Sequence, residues 1–334
     1  MTAHFESVDD VRDRLAEAGY LASDAIATTV FLADALGKPL LVEGPAGVGK
    51  TELAKAVAAA LSGATGTDAD LVRLQCYEGI DEARALYEWN DAKQLLRITA
   101  NTALAQASSS GAAASTSTTN SAADAQPDAS SPAGSPSGGA AHDWDELATD
   151  IFTDDFLLTR PLLRAIRNTQ PTVLLIDELD KADVEVEGLL LEVLSDFQVT
   201  VPELGTISAT QRPFVVLTSN AARDLSEALR RRCLFLHIDY PTPALEQRIV
   251  ELKVPGLDAA LVESVVRLVH RLRQMPLRKA PSVAETVDWA RTLIALGADG
   301  TGDLDATVLR ANLGVLLKHQ DDIERASTLL KLDA

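Results

Sequence analysis

A glycine-rich segment limits the possible folds of this chain more than any other feature of the sequence. Residues 44–51 read Gly-Pro-Ala-Gly-Val-Gly-Lys-Thr, which matches GxxxxGK(S/T), and they lie between an apolar run at 39–42 and a helical pattern that begins at Glu52. Glycines let the chain curl so that successive backbone N–H groups face one centre beside the amino end of a helix, where phosphate oxygens bind. The segment therefore predicts a strand, a phosphate-binding loop and a helix, as in nucleoside triphosphatases that bind ATP or GTP.

The residues of this loop have distinct expected roles. Lys50 is expected to reach the β and γ phosphates and to act in catalysis, and Thr51 is expected to ligate Mg²⁺. The predicted nucleotide-binding residues are Gly44, Pro45, Ala46, Gly47, Val48, Gly49, Lys50 and Thr51. The alternative is a glycine-rich turn without a ligand, which the number of matched positions in the right context disfavours.

Composition and cysteine content limit the class of protein. Hydrophobic residues make up 46% of the 334 residues, yet apolar runs such as 172–176 are shorter than the roughly 20 residues that a bilayer requires. Residues 1–20 are charged and amphipathic rather than a signal peptide, so we expect a cytoplasmic protein without a membrane segment. Cys76 and Cys233 lie far apart in the sequence, which favours two core thiols over a disulfide or a zinc site.

The net charge argues against a nucleic-acid substrate. The chain carries 49 acidic and 30 basic residues, giving a formal charge of −19. Proteins that bind nucleic acid usually carry a basic surface over which counterions are released. The acidic balance is better suited to solubility or to a basic protein partner.

Five short apolar runs alternate with helical patterns and predict the core fold. The predicted strands are 40–42, 71–76, 172–176, 214–218 and 234–238. This alternation is typical of an α/β protein with a five-stranded parallel sheet, helices on both faces and ligands at the carboxyl ends of the strands. After Pro243 the pattern becomes entirely helical, so we expect an α/β nucleotide-binding domain at 1–242 and a small all-α lid domain at 243–334. Ser282 and Glu285 predict a capping box at the start of one lid helix.

A low-complexity insert interrupts the α/β domain. Residues 105–143 contain no Leu, Ile, Val, Met, aromatic residue, Lys or Arg. Such a segment cannot bury enough apolar surface to offset its ordering entropy, so it predicts a disordered insert. We expect it between a helix that ends near Thr99 and one that begins near Trp144, as a tolerated linker rather than an arm that contacts substrate.

Two further strand ends supply polar residues of the kind that nucleotide hydrolysis needs. The apolar run at 173–176 leads into Asp177 and Glu178. Asp177 is expected to hold the hydrated Mg²⁺ beside Thr51, and Glu178 to orient and activate the attacking water as a catalytic base. The next strand ends at Asn220, whose amide is expected to position that water. A turn residue is the alternative for Asn220, because Asn is favoured wherever a strand gives way to a loop.

An arginine cluster precedes the last predicted strand. Residues 230–232 are all arginine and follow a short helical pattern at 225–229. They can complement the dipole of that helix. The interpretation that we favour is a catalytic arginine finger for the γ phosphate in a neighbouring subunit, with Arg232 ahead of Arg231.

Together, these motifs resemble an AAA+ ATPase, and within that group the MoxR family. The resemblance depends on residues 44–51, 173–180, Asn220, the arginine cluster and the helical region behind them. It is supported by a hairpin-like excursion at 198–207, between a helix and the strand that bears Asn220, where the family has a hairpin. Residues 79–82 through Leu95 and Leu96 also look like MoxR relatives associated with carbon monoxide dehydrogenase maturation.

This resemblance implies an oligomeric ring, usually hexameric, that uses ATP and Mg²⁺ to remodel a client protein. MoxR relatives commonly work with a von Willebrand factor A domain protein in maturing metalloenzymes or inserting their cofactors. One departure concerns the Pro-Arg pair that supplies a second sensor in many members, because residues 280–284 here contain no arginine. Either Arg278 or Lys279 substitutes for it or the contact is absent. Candidate pore elements are Tyr77, Trp89 and the hairpin tip at 203–205, which also have core or turn roles as alternatives.

Three other classes share the phosphate loop. A regulatory GTPase normally has an Asn-Lys-x-Asp element, and this sequence contains no Asn-Lys pair. A small-molecule kinase agrees less well with the paired acids, the arginine cluster and the helical lid, which suit water as acceptor. A clamp-loader-like or DNA-remodelling AAA+ motor is disfavoured by the net acidity and the lack of a recognisable DNA-binding module.

Overall fold

A five-stranded parallel sheet forms the centre of the molecule. The computed structural model describes residues 3–112, 150–297 and 306–330. The strand order is β2-β5-β8-β1-β9, and all pairs are parallel. In chain order these strands are Leu40–Glu43 (β1), Asp70–Gln75 (β2), Thr172–Asp177 (β5), Phe214–Ser219 (β8) and Leu234–His237 (β9). The predicted sheet is confirmed, and each strand boundary lies within one residue of its expected position.

Helices cover both faces of this sheet, which explains why its central strands β5, β8 and β1 are mostly apolar, whereas the edge strand β2 also carries Arg73 and Gln75. On one face, Val173 and Leu175 pack in a core with Val8–Glu17 (α1), Asp24–Leu36 (α2) and Lys50–Thr65 (α3). On the other face, Leu174 and Ile176 pack with Glu82–Ala85 (α4), Pro161–Arg167 (α6) and Val184–Asp196 (α7). Because successive side chains of a strand point to opposite faces, both sets must be apolar.

Two small antiparallel pairs extend from the sheet. Tyr87–Trp89 (β3) pairs with Leu157–Thr159 (β4). Gln198–Val201 (β6) pairs with Gly205–Ser208 (β7) in a hairpin between α7 and β8. The predicted excursion before the strand that bears Asn220 is therefore confirmed as a hairpin.

The helix before the insert is longer than the sequence predicted. Asp91–Ala112 (α5) continues past Thr99, so residues 105–112 of the insert are helical rather than disordered. Alanine has the highest helix propensity, and extending an existing helix avoids the cost of nucleation. The rest of the insert and the helix start expected near Trp144 lie outside the described residues.

The region after the sheet is helical, as expected. A short helix, Glu227–Arg230 (α8), precedes β9, and the C-terminal helices are Pro243–Lys253 (α9), Ala259–Arg273 (α10), Val283–Ala295 (α11), Ala306–Leu316 (α12) and Gln320–Leu329 (α13). The fully buried Trp289 lies in a core formed by α10 to α13. The capping box at Ser282 and Glu285 is confirmed at the start of α11.

Both cysteines contribute to the core on the α7 face of the sheet. Cys76 is buried and Cys233 is partly buried, and both are free thiols. Burial raises the pKa of each thiol to about 12, so neither ionises at neutral pH. The prediction of two core thiols is confirmed.

In the described ranges, no helix has both the length and the apolar character that crossing a bilayer requires.

Candidate functional site

The glycine-rich loop follows β1 and curls over the carboxyl end of the sheet. Gly44, Gly47 and Gly49 have φ values of 153°, 74° and 97°. A Cβ added to Gly44 would clash with the carbonyl oxygen of Ile238, and one added to Gly47 would clash with the Ser282 side chain. Positive φ and lack of space therefore both require glycine at these two positions. Gly49 has no side chain to cap α3, which leaves the first-turn N–H groups of that helix for a ligand.

The side chain of Lys50, the first residue of α3, folds back into the glycine-rich loop. Its ammonium donates to the carbonyl oxygens of Gly44 and Pro45, both at 2.7 Å, and to Oδ1 of Asn220 at 2.8 Å. The side chain therefore links the loop to the end of β8. The structure thus brings Lys50 and Asn220 together, as their expected roles require.

Two electrostatic effects act in opposite directions on the pKa of Lys50. Burial lowers the pKa of the ammonium because the charged form loses hydration. Asp180, Asp177 and Glu178 act in the opposite direction and favour the charged form. The acids at the end of β5 are thus close enough to Lys50 to act on the same bound group.

Asp177 accepts hydrogen bonds from three side chains. The hydroxyl of Thr51 donates to Oδ1 at 3.0 Å, and that of Thr218 donates to the same oxygen at 2.6 Å. The guanidinium of Arg73 donates to Oδ2 at 2.5 Å. Hydroxyl and carboxylate oxygens are the ligands that Mg²⁺ prefers, so Thr51 and Asp177 form a donor pair that fits this ion.

Glu178 is held in an unusual backbone conformation at the end of β5. Its φ is 56°, and its N–H donates to the Thr218 hydroxyl at 2.9 Å. Its Oε2 accepts from Gln75 Nε2 at 2.9 Å and from Lys181 Nζ at 2.7 Å. A positive φ is uncommon for a residue other than glycine and is concentrated at functional sites, so this conformation supports the prediction that Glu178 is functional.

Asp180 fixes the segment that carries Asn220. Its carboxylate accepts from the N–H groups of Asn220 and Ala222, both at 3.1 Å. Ala221 between them has a φ of 57°. The buried Asp180 therefore sets the direction in which the Asn220 side chain leaves the strand.

The last two arginines of the cluster, Arg231 and Arg232, precede the start of β9 at the end of the sheet away from the phosphate loop, whereas Arg230 reaches the last residue of β1. Leu234, the first residue of β9, is paired with Leu40, the first residue of β1, whereas the loop follows the last residue of β1. Arg230 is engaged within the chain, because its guanidinium donates to Glu43 Oε1 at 2.6 Å. Arg231 and Arg232 are exposed. Neither of these two is brought to the phosphate loop of its own chain.

The exposed arginines have local partners. Arg231 contacts Glu227 one helical turn away, at 2.9 Å. Arg232 donates to the hydroxyl of Ser195 at 2.8 Å and to the carbonyl oxygen of Ala228 at 3.1 Å. These surface contacts leave both guanidinium groups accessible to a partner.

The helical region contacts the phosphate loop through the start of α11. Ser282 packs against Gly47, and the carbonyl oxygen of the preceding Pro281 accepts from Arg273 Nε at 2.8 Å. The same guanidinium donates to both carboxylate oxygens of the fully buried Glu246, at 2.6 and 2.8 Å. It also lies over the ring of Tyr240, 4.4 Å from the centroid. Arg273 thus links the segment after β9, α9 and the turn that faces the loop.

The two candidates for a second sensor lie just before that turn. The N–H groups of Arg278 and Lys279 donate to the Asp322 carboxylate at 2.8 and 3.1 Å. The Lys279 ammonium is 3.9 Å from Glu285 Oε1. Asp322 therefore fixes the backbone of both residues next to the turn that contacts the loop.

The candidate pore elements have different surroundings. Trp89 packs edge-on against Tyr87 and Phe152, with ring centroids 6.4 and 5.1 Å apart. Tyr77 is 42% exposed, and its hydroxyl accepts from Arg84 at 3.0 Å. The hairpin tip at 203–205 turns through Gly205, which has a φ of 79°. Trp89 thus has a packing role, whereas Tyr77 and the tip are accessible.

Sequence reasoning missed several residues that surround the acids. Arg73 and Gln75 reach them from β2 and Thr218 from β8. The contact of Ser282 with Gly47 of the phosphate loop was also missed. One signal was present, because Arg73 and Gln75 alternate with the apolar Val72 and Leu74 and therefore share a face of the strand.

Comparison with known proteins agrees with this geometry. The family model described as "ATPase family associated with various cellular activities (AAA)" matches residues 141–240. That range contains the acidic end of β5, Asn220 and the arginine cluster, and it starts after the phosphate loop. A domain of this family indicates an ATP-hydrolysing enzyme.

Two individual similarities were also found. The tRNA dimethylallyltransferase of Mycolicibacterium gilvum (strain PYR-GCK) is 25% identical over 276 residues, covering 80% of this chain and 82% of that protein. A solved structure of a Thermotoga maritima RuvB mutant is 17% identical and covers 98% of this chain and 71% of that one. Its TM-score of 0.41 is too low to carry an argument about function. Residues 141–240 thus match the AAA ATPase family model, and with this match, the sheet and the loop geometry, the chain has the AAA+ P-loop fold and is an ATP-hydrolysing enzyme.

Proposed function

We propose that the chain is a Mg²⁺-dependent ring ATPase of MoxR type that remodels a client protein during metalloenzyme maturation or cofactor insertion. The ring is a homo-oligomer, and a hexamer is the expected form. A von Willebrand factor A domain protein is the expected partner. The observation that carries the proposal is the separation of the exposed Arg231 and Arg232 from the phosphate loop of the same chain.

In this proposal ATP binds at the seam between an α/β domain at 1–242 and a helical lid at 243–334. The contact between Gly47 and Ser282 supports this location, because it joins the phosphate loop to the first turn of α11. A change in the γ phosphate would therefore act directly on the position of the lid.

The hydrolytic roles follow from the contacts of the site. Lys50 would bind the β and γ phosphates, and Thr51 and Asp177 would hold Mg²⁺, which would stabilise negative charge on the phosphates. Glu178 accepts a proton from the attacking water, and Asn220 orients that water. The hydrogen bond from Lys50 to Asn220 supports this assignment, because it shows that both side chains reach the same point beside the phosphate loop.

Arg232 of an adjacent copy completes the site, with Arg231 as the second candidate. Arg232 precedes β9, whose first residue is paired with the first residue of β1. The length of β1, roughly 10 Å for four residues at the usual rise per residue, therefore separates Arg232 from the phosphate loop of its own chain. The exposed guanidinium is available to a neighbour instead. Hydrolysis would therefore require assembly.

The MoxR-type role is supported by the hairpin β6–β7 at the expected place in the sequence. The charge of −19 favours a protein client over nucleic acid. The same charge opposes a tRNA substrate of the kind named for the dimethylallyltransferase relative. An AAA+ motor acting on DNA, or a P-loop kinase or GTPase, is the alternative.

Two measurements separate these functions. Cells that lack the chain should accumulate a client in metal-free form, and wild type should restore its metal content while the Glu178→Gln variant should not. Native chromatography of extracts with elemental analysis would detect the change. Turnover of the pure protein that rises with duplex DNA, or that requires GTP or a metabolite as acceptor, would contradict the proposal.

A further inference from the structure

Asp177 carries its own counter-ion within the chain. The residue is only 2% exposed, and of its three side-chain donors only Arg73 is charged. An unpaired buried carboxylate is costly, so the Arg73 guanidinium stabilises this arrangement in the protein without nucleotide.

The sheet register explains why Arg73 reaches this carboxylate. Gln75 on β2 is paired with Asp177 on β5, and Arg73 is two residues earlier on the same face of β2. The long Arg73 side chain runs along the strand, contacts Oε1 of Gln75 and ends at Oδ2 of Asp177, 2.5 Å away. The side chain is 50% exposed, so it can move into solvent without opening a cavity.

The guanidinium and a divalent cation cannot use this carboxylate in the same way. Mg²⁺ requires near-octahedral oxygen coordination, and its bound waters would need the lone pairs of Asp177. A guanidinium at hydrogen-bond distance from Oδ2 occupies part of that space and repels a second cation. Arg73 must therefore leave Asp177 before a metal ion can be held there beside Thr51.

We infer that Arg73 is an exchangeable internal counter-ion of Asp177, which is released when Mg²⁺ and nucleotide bind and which thereby sets how strongly the metal enhances nucleotide binding. This inference rests on the proposed Mg²⁺-dependent function. Arg73 is a positioning residue here, since it acts on the metal site through Asp177. Its removal should make the metal ion more effective rather than less.

The test compares the affinity for a fluorescent ADP derivative with excess Mg²⁺ and with EDTA. The dissociation constant in EDTA divided by the dissociation constant with Mg²⁺ measures how strongly the metal enhances nucleotide binding. In Arg73→Gln we expect this ratio to rise about 3- to 10-fold, a range set by a charge-assisted bond that is half exposed to solvent. With Mg²⁺, affinity should rise because the metal no longer has to displace a guanidinium. With EDTA, affinity should fall because Asp177, now without a counter-ion, repels the phosphates.

Arg164→Gln is the matched control. Arg164 donates to Asp70 at the opposite end of β2, at 2.7 Å, and its side chain is 59% exposed. The substitution removes the same charge without touching Asp177, so the ratio should stay at the wild-type value. In EDTA without nucleotide, Arg73→Gln should melt about 1 to 3 °C below wild type, while Arg164→Gln should change less.

The outcomes separate the inference from the proposed function. If wild type binds the ADP derivative equally with Mg²⁺ and with EDTA, the proposed metal dependence fails and the inference fails with it. If wild type shows coupling but Arg73→Gln has the same ratio, the inference alone is overturned. If Arg73→Gln loses affinity equally with Mg²⁺ and with EDTA, the ratio is again unchanged and the inference is overturned. That result would indicate that Arg73 binds the phosphates directly.

Discussion

The two ends of strand β1 differ in how their charged residues are held. At the carboxyl end, Lys50 and Asp177 are buried and hydrogen bonded to residues from several strands. At the amino end, Arg231 and Arg232 are exposed and contact only nearby surface groups. In the proposed mechanism, the chain thus fixes one part of the hydrolytic site by itself and presents another part to a partner.

This difference follows from the cost of breaking each set of contacts. Removing one partner of a buried polar pair leaves a group that has lost its hydration. Exposed ion pairs are exchanged for water at little cost. The loop end is therefore preorganised, whereas the arginine end is free to change partners.

The largest effect is expected from Arg232→Ala. If Arg232 acts on the γ phosphate of a neighbour, kcat should fall by roughly 10³-fold or more while nucleotide binding is retained. Steady-state hydrolysis at saturating ATP would measure the loss, and Arg231→Ala is the matched control with a smaller effect. In mixtures with wild type, activity should fall below the additive value; strictly additive activity would count against a contact between subunits.

The next largest effect is expected from a substitution at the carboxyl end of the sheet. Glu178→Gln should lower kcat by about 10²- to 10⁴-fold, because the amide cannot accept a proton from water. Affinity for a fluorescent nucleotide should stay near the wild-type value. Replacement of the exposed Glu251 by Gln is the control and should leave turnover unchanged. Normal turnover by Glu178→Gln would remove this residue from the proposed mechanism.

A glycine pair tests whether the loop is as constrained as its geometry indicates. Gly47→Ala should weaken nucleotide binding and destabilise the protein by about 1 to 3 kcal/mol, because the φ is 74° and a Cβ would clash with Ser282. Gly188→Ala is the opposite case, since it lies within α7 and a Cβ there would have open space. It should stabilise the protein by about 0.5 to 1 kcal/mol.

Denaturant unfolding would measure both glycine variants. Equal effects of the two substitutions would contradict the account of the loop, because of these two glycines Gly47 alone combines positive φ with a close neighbour.

The smallest effect is expected at Ser282, where the start of α11 contacts the phosphate loop. Ser282→Ala removes the cap of α11, where the hydroxyl accepts from Glu285 N, and should cost about 1 kcal/mol in the free energy of unfolding. Thr292→Ala within the same helix is the control and should change stability little. A Ser282→Ala variant as stable as wild type would show that the capping box does not stabilise the start of α11.

The fold could be predicted because its signals are local. The central strands are apolar runs, since helices cover both faces of the sheet, and the loop is defined by spacing alone. The end of α5 was missed because an alanine-rich sequence supports either an extended helix or a disordered segment, and composition alone does not decide between them.

The surroundings of the site could be predicted only in part. The motifs identified Lys50, Asp177 and Asn220, which are brought together. They did not identify Arg73, Gln75 or Ser282, because those contacts join segments far apart in the chain and depend on register and packing. The pairing of Arg230 with Glu43 is of the same kind, and it narrows the proposed finger to the next two arginines.

The central claim is that hydrolysis needs a second copy of the chain. The most direct test is the ATP turnover per chain measured across a range of protein concentrations, with the oligomeric state determined in the same samples by light scattering. The account predicts that turnover per chain rises as monomers assemble and that Arg232→Ala assembles without gaining activity. Full turnover by a protein that stays monomeric with saturating ATP would contradict it.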